Sequence, residues 1–322
     1  MAIVANTYTR YDAKGIREDL ANAIYNISPE DTPFISNIGK EKASGTFFEW
    51  QTDSLAAAST ANAVVEGDDV TSFTAATPTE RVGNYTQISR KDVVISGTLE
   101  VLDKAGRKSE LAYQLAKKGA ELRRDMEAIL LYNQAAAAGS TSVARRTAGL
   151  PAFLRTNTNF YTTDGANPTV SNGVVNAART DGTQRSFTET ILKDVIQKAW
   201  TAGGKPKMLM VGPVNKVRAS GFTGIAEHRV NVKGNAPTTI IGAADIYVSD
   251  FGNLEIVPNR FQRERDAFLI DPEYVAMATL RPINQVPLAK TGDAEKRMLI
   301  VEYGLKVKTE AAHGIAADLT TT

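Results

Sequence analysis

Residues 109–138 read SELAYQLAKKGAELRRDMEAILLYNQAAAA, and this stretch decides how the rest of the chain can be arranged. Its large apolar residues follow one another at steps of four, seven, four and three, as Leu111, Leu115, Leu122, Met126 and Ile129. That spacing keeps them on one face of a helix. Ser109 is a favourable N-cap residue, so the sequence predicts a helix from Ser109 to about residue 138. At about 1.5 Å per residue the helix would be roughly 45 Å long, which suits a structural spine.

Two segments before this helix alternate between apolar and polar residues as β-strands do, at 46–52 (TFFEWQT) and at 85–95. The segment between them, 53–80, is rich in Ala, Ser and Thr and holds five acidic residues but no Lys or Arg. It is either a disordered loop or, as we favour, a long two-stranded arm. Such an arm would be stable only against another surface, because an isolated hairpin is marginal in water.

The second half of the chain predicts an α/β unit. Residues 186–189 (SFTE) match a capping box that opens a helix, with Ser186 as the N-cap. Residues 207–211 (KMLMV) are typical of a buried strand. Further strands are expected at 239–248, 254–257, 267–270, 274–280 and 298–309. The tail from Ala316 is expected to fray.

The composition narrows the classes of protein to consider. The 322 residues suffice for about two domains. The 37 basic and 36 acidic residues leave a net charge of +1, which argues against a dedicated nucleic-acid binder and against a polybasic membrane-surface protein. The absence of cysteine excludes disulfides, zinc–thiolate sites and cysteine nucleophiles. No run approaches the roughly 18 apolar residues of a membrane span, and the first residues lack the pattern of a signal peptide.

Residues that usually carry catalysis are sparse. The two histidines, His228 and His313, are 85 positions apart, and the glycine motifs of phosphate sites and nucleophile elbows are absent. The triplet at 250–252 (DFG) lacks the companion motifs of a kinase, and the acidic run at 66–69 (EGDD) lacks the spacing of a calcium loop. We therefore expect no enzyme, no catalytic residues, no cofactor and no metal site. The basic excess at 205–233 is expected to be a subunit contact or a solvated face.

Several strings, taken together in order and spacing, carry a resemblance to a known family. Residues 26–35 (NISPEDTPFI) resemble the "SPxDTP" corner that follows the N-arm helix in major capsid proteins of tailed bacteriophages, which share the Hong Kong 97-type shell fold. The C-terminal half contributes 271–274 (DPEY), 280–282 (LRP), 288–293 (LAKTGD), 301–308 (VEYGLKVK) and 310–314 (EAAHG). The resemblance covers nearly the whole chain.

The resemblance implies an α+β fold of the Hong Kong 97 type in four parts. These are an N-arm (1–45), an extended E-loop hairpin (46–95), a P-domain with the long spine helix (96–185 and 265–322) and an inserted A-domain (186–264). It implies that copies of the chain assemble in the host bacterial cytoplasm, as hexamers and pentamers, into the icosahedral head shell of a virion. Implied partners are portal and scaffold proteins, a cement or decoration protein and non-specifically packaged double-stranded DNA, with no membrane.

Two other interpretations stay open on the sequence. An encapsulin-like cargo compartment uses the same fold and would contain an enzyme rather than DNA. An enzyme with an unrecognised site would stay monomeric and turn over a substrate. Some capsid proteins of the family join subunits by isopeptide bonds from an E-loop lysine. Segment 53–80 has no lysine, and the chain has no cysteine, so the sequence predicts a shell held by non-covalent contacts.

Overall fold

The structure, a computed structural model, describes residues 31–70, 73, 75–102, 108–222 and 246–322. Most of the expected N-arm, part of the strand expected at 239–248 and His228 lie outside these ranges. The α-helices in the described ranges are α1 (Pro33–Asn37), α2 (Gly97–Val101), α3 (Glu110–Leu130), α4 (Leu150–Phe153), α5 (Glu189–Thr201) and α6 (Pro213–Ala219). Short 3-10 turns follow at Pro272–Tyr274 and Glu310–Ala312.

The strands of the same ranges form three sheets. They are β1 (Gly39–Lys42), β2 (Phe47–Thr52), β3 (Glu80–Tyr85), β4 (Gln87–Ser96), β5 (Thr158–Asn159), β6 (Thr169–Ser171), β7 (Val174–Ala177), β8 (Met208–Val211), β9 (Ile246–Ser249), β10 (Gly252–Pro258), β11 (Ala267–Ile270), β12 (Val275–Pro287), β13 (Ala294–Val307) and β14 (Gly314–Ala316). The sheet orders are β1-β12-β13-β4, β5-β14-β11-β8-β10-β9 and β2-β3-β7-β6.

The first sheet is built on the two longest strands. β12 and β13 pair antiparallel, β1 runs parallel to β12, and β4 runs antiparallel to β13. Helix α3 lies against β4 and β13, and its residues Leu122, Met126 and Leu130 are buried in a core shared with β13. Of the predicted apolar stripe, Leu122 and Met126 are confirmed as buried, but the stripe ends at Leu130 and not at Ile129, which is half-buried.

The second sheet has a core on each face. In β8, Met208 and Met210 belong to the core of the spine helix α3, while Leu209 and Val211 belong to a second core beneath α5. A strand buried on both faces is apolar at every position, which is the pattern that predicted it. The sheet takes β5, β11 and β14 from the segments expected to form the P-domain, and β8, β9 and β10 from 186–264.

The spine helix is shorter than predicted. It begins as expected, because the Ser109 hydroxyl accepts the N–H of Ala112, but it ends at Leu130 instead of near residue 138. Its 21 residues span about 32 Å. Beyond it the backbone of Ala136 donates to Val175 at 3.0 Å, and Ala137 pairs with Arg146. These hydrogen bonds to neighbouring segments outweigh the modest helix propensity of alanine.

The start of α5 also differs from the prediction. Thr188 is the N-cap in place of Ser186, and its hydroxyl accepts the N–H of Ile191. Phe187, just before the cap, is buried and lies 5.2 Å from the ring of Phe222. Leu192, four residues after the cap, is buried in the same core. This hydrophobic staple sets the first turn of the helix, and the capping box of the sequence is not used.

The C-terminal tail is buried, so the prediction that it frays is wrong. Gly314–Ala316 forms β14 inside the second sheet, and Leu319 has no exposed surface. The Asp318 carboxylate accepts the N–H of Gly182 at 2.7 Å and pairs with Arg265 at 3.0 Å. Residues far away in the sequence hold this segment in place. No local pattern in the sequence of the tail predicts these contacts.

One buried carboxylate joins three segments of the chain. Glu127, in the last turn of α3, has no exposed surface. It accepts the backbone N–H of Phe34 at 2.7 Å and of Ile35 at 2.9 Å, both in α1. The side-chain amide of Asn259, just after β10, donates to it at 2.7 Å. Since Thr32 makes no side-chain cap bond, Glu127 caps α1 from another helix.

Replacing Glu127 with alanine should lower the free energy of unfolding by at least about 3 kcal/mol, measured by urea denaturation of the unassembled protein. Three buried donors would lose their acceptor, each at about 1–3 kcal/mol. Glu127→Gln retains one acceptor oxygen and should lose less. Glu121→Ala on the same helix removes a partly exposed pair with Lys118 and should cost less than about 1 kcal/mol. Equal costs at positions 127 and 121 would contradict the role of the junction.

His313 is a structural residue of the core. It has no exposed surface, and its Nδ1 accepts the N–H of Asp271 at 3.2 Å. Burial lowers the pKa of its imidazole from 6.5 to about 4. Between these values the unfolded chain binds a proton that the folded chain does not. The stabilisation is therefore complete above pH 6.5 and is lost as the pH falls towards 4.

Urea denaturation of wild type and His313→Gln between about pH 7 and pH 4.5 should show this loss as a difference between the two proteins, at most about 3 kcal/mol from about 1.4 kcal/mol per pH unit. The comparison is needed because burial raises the pKa of Asp266 to about 6, and that group titrates in the same range in both proteins. His313→Gln should remove the His313 contribution to the slope. Identical pH slopes for wild type and His313→Gln would show that the imidazole does not carry the effect.

Candidate assembly surfaces

The base of the expected E-loop is a well-packed hairpin. β2 and β3 pair antiparallel from Phe47 opposite Tyr85 to Thr52 opposite Glu80. Trp50 is buried, with its ring 6.3 Å from that of Phe153 in α4. The arm therefore starts from a fixed position on the body of the protein.

Beyond this base the arm leaves the body. The described residues between Thr52 and Glu80 lie in no strand and are all exposed. A turn at the tip places Gly67 at φ +82°, with the N–H of Asp68 donating to Val65 at 3.0 Å. The base of the arm is thus two-stranded, whereas the described residues of 53–79 form no strand in the single chain; a two-stranded arm laid on another surface stays a prediction.

The arm exposes apolar side chains as well as acidic ones. Its exposed large apolar residues, with exposed fractions from 66% to 98%, are Leu55, Val64, Val65, Val70 and Phe73. Large apolar side chains exposed together mark contact surfaces in proteins. The sequence reasoning counted the charges of this segment and missed these residues, because they follow neither helical nor strand periodicity. Their presence in a stretch without a core of its own was the available signal.

The five acidic residues of 53–80 lead us to expect that the arm meets basic residues of the spine region on an adjacent subunit, and these basic residues are only partly available. Lys108, Lys117 and Arg123 are exposed. Lys118 pairs with Glu121 at 2.7 Å, and the guanidinium of Arg124 lies 5.3 Å from the ring centre of Phe261. Lys104 and Arg107 lie outside the described residues. The three exposed cations, on or near the spine helix, thus remain as candidates for contact with the acidic arm.

The basic run at 205–233 is largely used inside the chain where it is described. Lys207 pairs with Glu273 at 2.5 Å, and the Lys216 ammonium donates to the carbonyl of Ile256 at 3.2 Å. Arg218 donates to the carbonyl of Thr320 at 3.2 Å, which holds the C-terminal segment against α6. The run from 223 to 233 lies outside the described residues.

The two motifs considered above for catalysis and metal binding lie in a turn of the second sheet and at the exposed tip of the arm. Asp250-Phe251-Gly252 forms the turn between β9 and β10, with the Phe251 ring 5.2 Å from that of Trp200. Glu66, Asp68 and Asp69 lie at the exposed arm tip. Within the described ranges no group of three His, Asp or Glu side chains could hold a metal ion. Among the same residues no helix is long and apolar enough to cross a membrane.

Comparison with known proteins agrees with a shell-forming chain. The family described as SU10 major capsid protein matches residues 3–320. The chain belongs to this family. A curated relative, the major capsid protein of Escherichia phage Phieco32, is 31% identical over 340 aligned positions that cover 96% of each chain. The function expected from the sequence is thereby confirmed: it is a major capsid protein of a tailed phage, a structural component of the icosahedral virion shell.

Solved structures of phage capsids share a mixed α+β fold with the capsid protein. The capsid of Cyanophage A-1(L) matches with a TM-score of 0.66 at 11% identity and covers 95% of this chain and 98% of that one. The SrpI encapsulin of Synechococcus elongatus PCC 7942 matches with a TM-score of 0.55 at 9% identity, over 96% and 94% of the two chains. At such identities the likeness shows a mixed α+β shell fold alone. The encapsulin is a distant neighbour, whereas the family and the curated relative are phage capsid proteins.

Segment 53–80 of the capsid protein lacks the residue types that a lysine isopeptide link or a disulfide would need. Segment 53–80 contains no lysine, and the chain contains no cysteine. The nearest lysine after the arm, Lys91, lies on β4 and pairs with Asp125 of α3 at 2.7 Å. This salt bridge holds its ammonium group against the spine helix.

Mature particles boiled in denaturant should therefore give a single band near the chain mass of 34.7 kDa on a gel. Lys91→Arg particles provide the control and should give the same band. A ladder of covalent oligomers in the wild type that disappears in Lys91→Arg would show that Lys91 reaches a neighbour after all.

Proposed function

We propose that residues 1–45 act as the N-arm, 46–95 as the E-loop, 96–185 with 265–322 as the P-domain and 186–264 as the A-domain of a capsomer subunit. Two cores beneath α3 and α5 support this division. The six-stranded sheet, which takes strands from both sides of the proposed boundary, would join the P- and A-domains rigidly. The subunits would form hexamers and pentamers of the shell.

In this arrangement the E-loop lies across the neighbouring subunit. The observation that carries the proposal is the exposure of every described residue from Asp53 to Thr79 beside a tightly packed base. A segment that buries nothing on its own chain cannot offset the conformational entropy of being ordered. A second copy of the chain supplies the missing surface.

Apolar contacts should contribute more to this docking than charges. Burying one large apolar side chain stabilises by about 1.5–3 kcal/mol, and the arm exposes five of them. An exposed ion pair contributes only about 0.2–1 kcal/mol. The acidic tip would then be attracted to the basic surface around Lys117 and Arg123 of the neighbour. Burial of apolar residues such as Phe73 would supply most of the binding free energy.

The remaining partners follow from the proposed role. The shell would assemble in the host cytoplasm around separate scaffold and portal proteins and then enclose double-stranded DNA. A net charge of +1 leaves DNA contacts weak and independent of base sequence. With no covalent links from the arm, a cement protein is the natural reinforcement of the finished shell.

Replacing residues 54–79 with a short Gly/Ser turn tests the arm. The variant should unfold at the same urea concentration as the wild type, because no described residue of that segment is buried. It should not form closed shells, as judged by light scattering and electron microscopy. A shortened chain that forms wild-type shells would contradict the proposed role of the E-loop.

The same assay separates the two kinds of contact. Raising the salt concentration from about 0.15 to 0.5 M shortens the screening length from about 8 Å to less than about 5 Å and should slow early assembly moderately. Phe73→Ser should slow it more than Asp68→Asn, which removes one charge of the tip. Salt or Asp68→Asn acting more strongly than Phe73→Ser would make the charges the dominant contact.

A further inference from the structure

The base of the arm is held to the body at two adjacent residues. Asn84 has no exposed surface; its side-chain amide donates to the carbonyl of Leu305 at 2.7 Å and accepts the N–H of Ala148 at 2.9 Å. The next residue outwards, Gly83, donates its N–H to the carbonyl of Gly173 at 2.9 Å. Asn84 thus anchors the inner end of the arm, and a contact to Gly173 braces it one residue further out.

The brace is the tip of a tight hairpin. β6 and β7 are joined by Asn172 and Gly173 alone, with φ angles of +51° and +77°. Positive φ at both positions is the signature of a type I′ turn, for which Asn-Gly is the preferred pair. The hairpin is itself fixed to the body, because Val175 is fully buried and accepts the N–H of Ala136.

The contact between hairpin and arm leaves no room for a side chain. A Cβ atom on Gly173 would overlap the carbonyl oxygen of Arg81 and lie 2.8 Å from its carbonyl carbon. It would also lie 3.3 Å from the Cα of Val82. Any residue larger than glycine would therefore force β3 and the hairpin apart.

A small displacement of β3 at Arg81 would produce a larger displacement at the tip of the arm. Arg81 is three residues from the anchor at Asn84, roughly 10 Å along the strand at about 3.3 Å per residue. The turn at Gly67 is fourteen residues beyond Arg81, up to about 45 Å if the arm is extended. For an extended arm docked on a neighbour, movement at Arg81 about the anchor would be amplified up to about sixfold at the tip, which lies about 55 Å from Asn84.

We propose that the Asn172–Gly173 turn is a positioning element for shell assembly, which sets the angle at which the arm leaves the body and hence where its tip meets the neighbouring subunit. The inference rests on the proposed function, in which the arm contacts a neighbour. According to this inference, the β6–β7 hairpin helps to determine where the arm contacts the neighbour, although the hairpin lies outside the arm and need not touch the neighbour itself.

Gly173→Ala tests the element. The variant should unfold cooperatively but at a lower urea concentration than Gly203→Ala, a control with φ +89° and nothing within 4 Å of its added Cβ, because a backbone carbonyl must move in Gly173→Ala; assembly is compared where both variants are fully folded. Gly203→Ala should form wild-type shells, whereas Gly173→Ala should give few closed shells or shells of altered diameter by cryo-electron microscopy. Asn172→Gly, which keeps the turn and adds no atom, should assemble like the wild type. Shells of wild-type yield and diameter from Gly173→Ala would overturn the proposal.

Amide hydrogen exchange on the wild type gives a second measurement, which decides if Gly173→Ala does not fold. The Gly83 amide should be protected as strongly as those of β4, and exchange as fast as in the arm would overturn the brace. The arm-shortened variant separates this inference from the proposed function. Failure of that variant to assemble, together with normal shells from Gly173→Ala, would reject the brace alone. Normal shells from the shortened variant would reject the proposed function of the arm.

Discussion

The Glu127 carboxylate is the interaction on which the rest of the structure depends, because three segments distant in sequence converge on it. Its partners are two peptide N–H groups of α1 and the amide of Asn259. All three are neutral donors, so burial raises the pKa of the carboxyl while the hydrogen bonds oppose the rise. A buried carboxylate held by neutral donors is stable only if every bond keeps its geometry. The junction therefore fixes the relative positions of its three segments closely.

Those positions determine the sheets. α1 leads directly into β1, and capping α1 from the spine helix places β1 where it can pair in parallel with β12. Asn259 follows β10, which lies in the second sheet. The spine helix α3 thus packs against the first sheet through its apolar stripe. It is connected to the second sheet by the hydrogen bond between Glu127 and Asn259. A subunit that must transmit forces across a shell needs such a connection between its cores, since separate cores joined by a linker would move independently.

The parts of the fold that the sequence predicts are those set by neighbouring residues. The N-cap of the spine helix at Ser109, the strand at 208–211 and the strand at 267–270 depend on local patterns and lie where they were expected. The end of the spine helix, the cap of α5 and the buried tail were predicted wrongly because distant partners decide them. The helix ends at Leu130, and the residues after it bond elsewhere, as Ala136 does with Val175; the tail is held by the loop that contains Gly182. The Glu127 junction left no trace in the sequence pattern, since a glutamate on an amphipathic helix is ordinarily solvated.

In the candidate assembly surface, too, some features are set by neighbouring residues and others by partners distant in the sequence. This difference has a consequence for how assembly is controlled. Charge counting identified the arm, because an acidic stretch without a core is visible residue by residue. Its angle is set elsewhere, by a glycine turn about ninety positions further along the chain, where glycine is favoured both by the positive φ of the turn and by the carbonyl of Arg81, which leaves no room for a Cβ atom. If the arm binds a neighbour as proposed, the geometry of that contact is a property of the folded body and its apolar strength a property of the arm. Substitutions could then change the strength of the contact without changing its direction, because the hydrogen bonds of Asn84 and Gly83 involve none of the arm's exposed side chains.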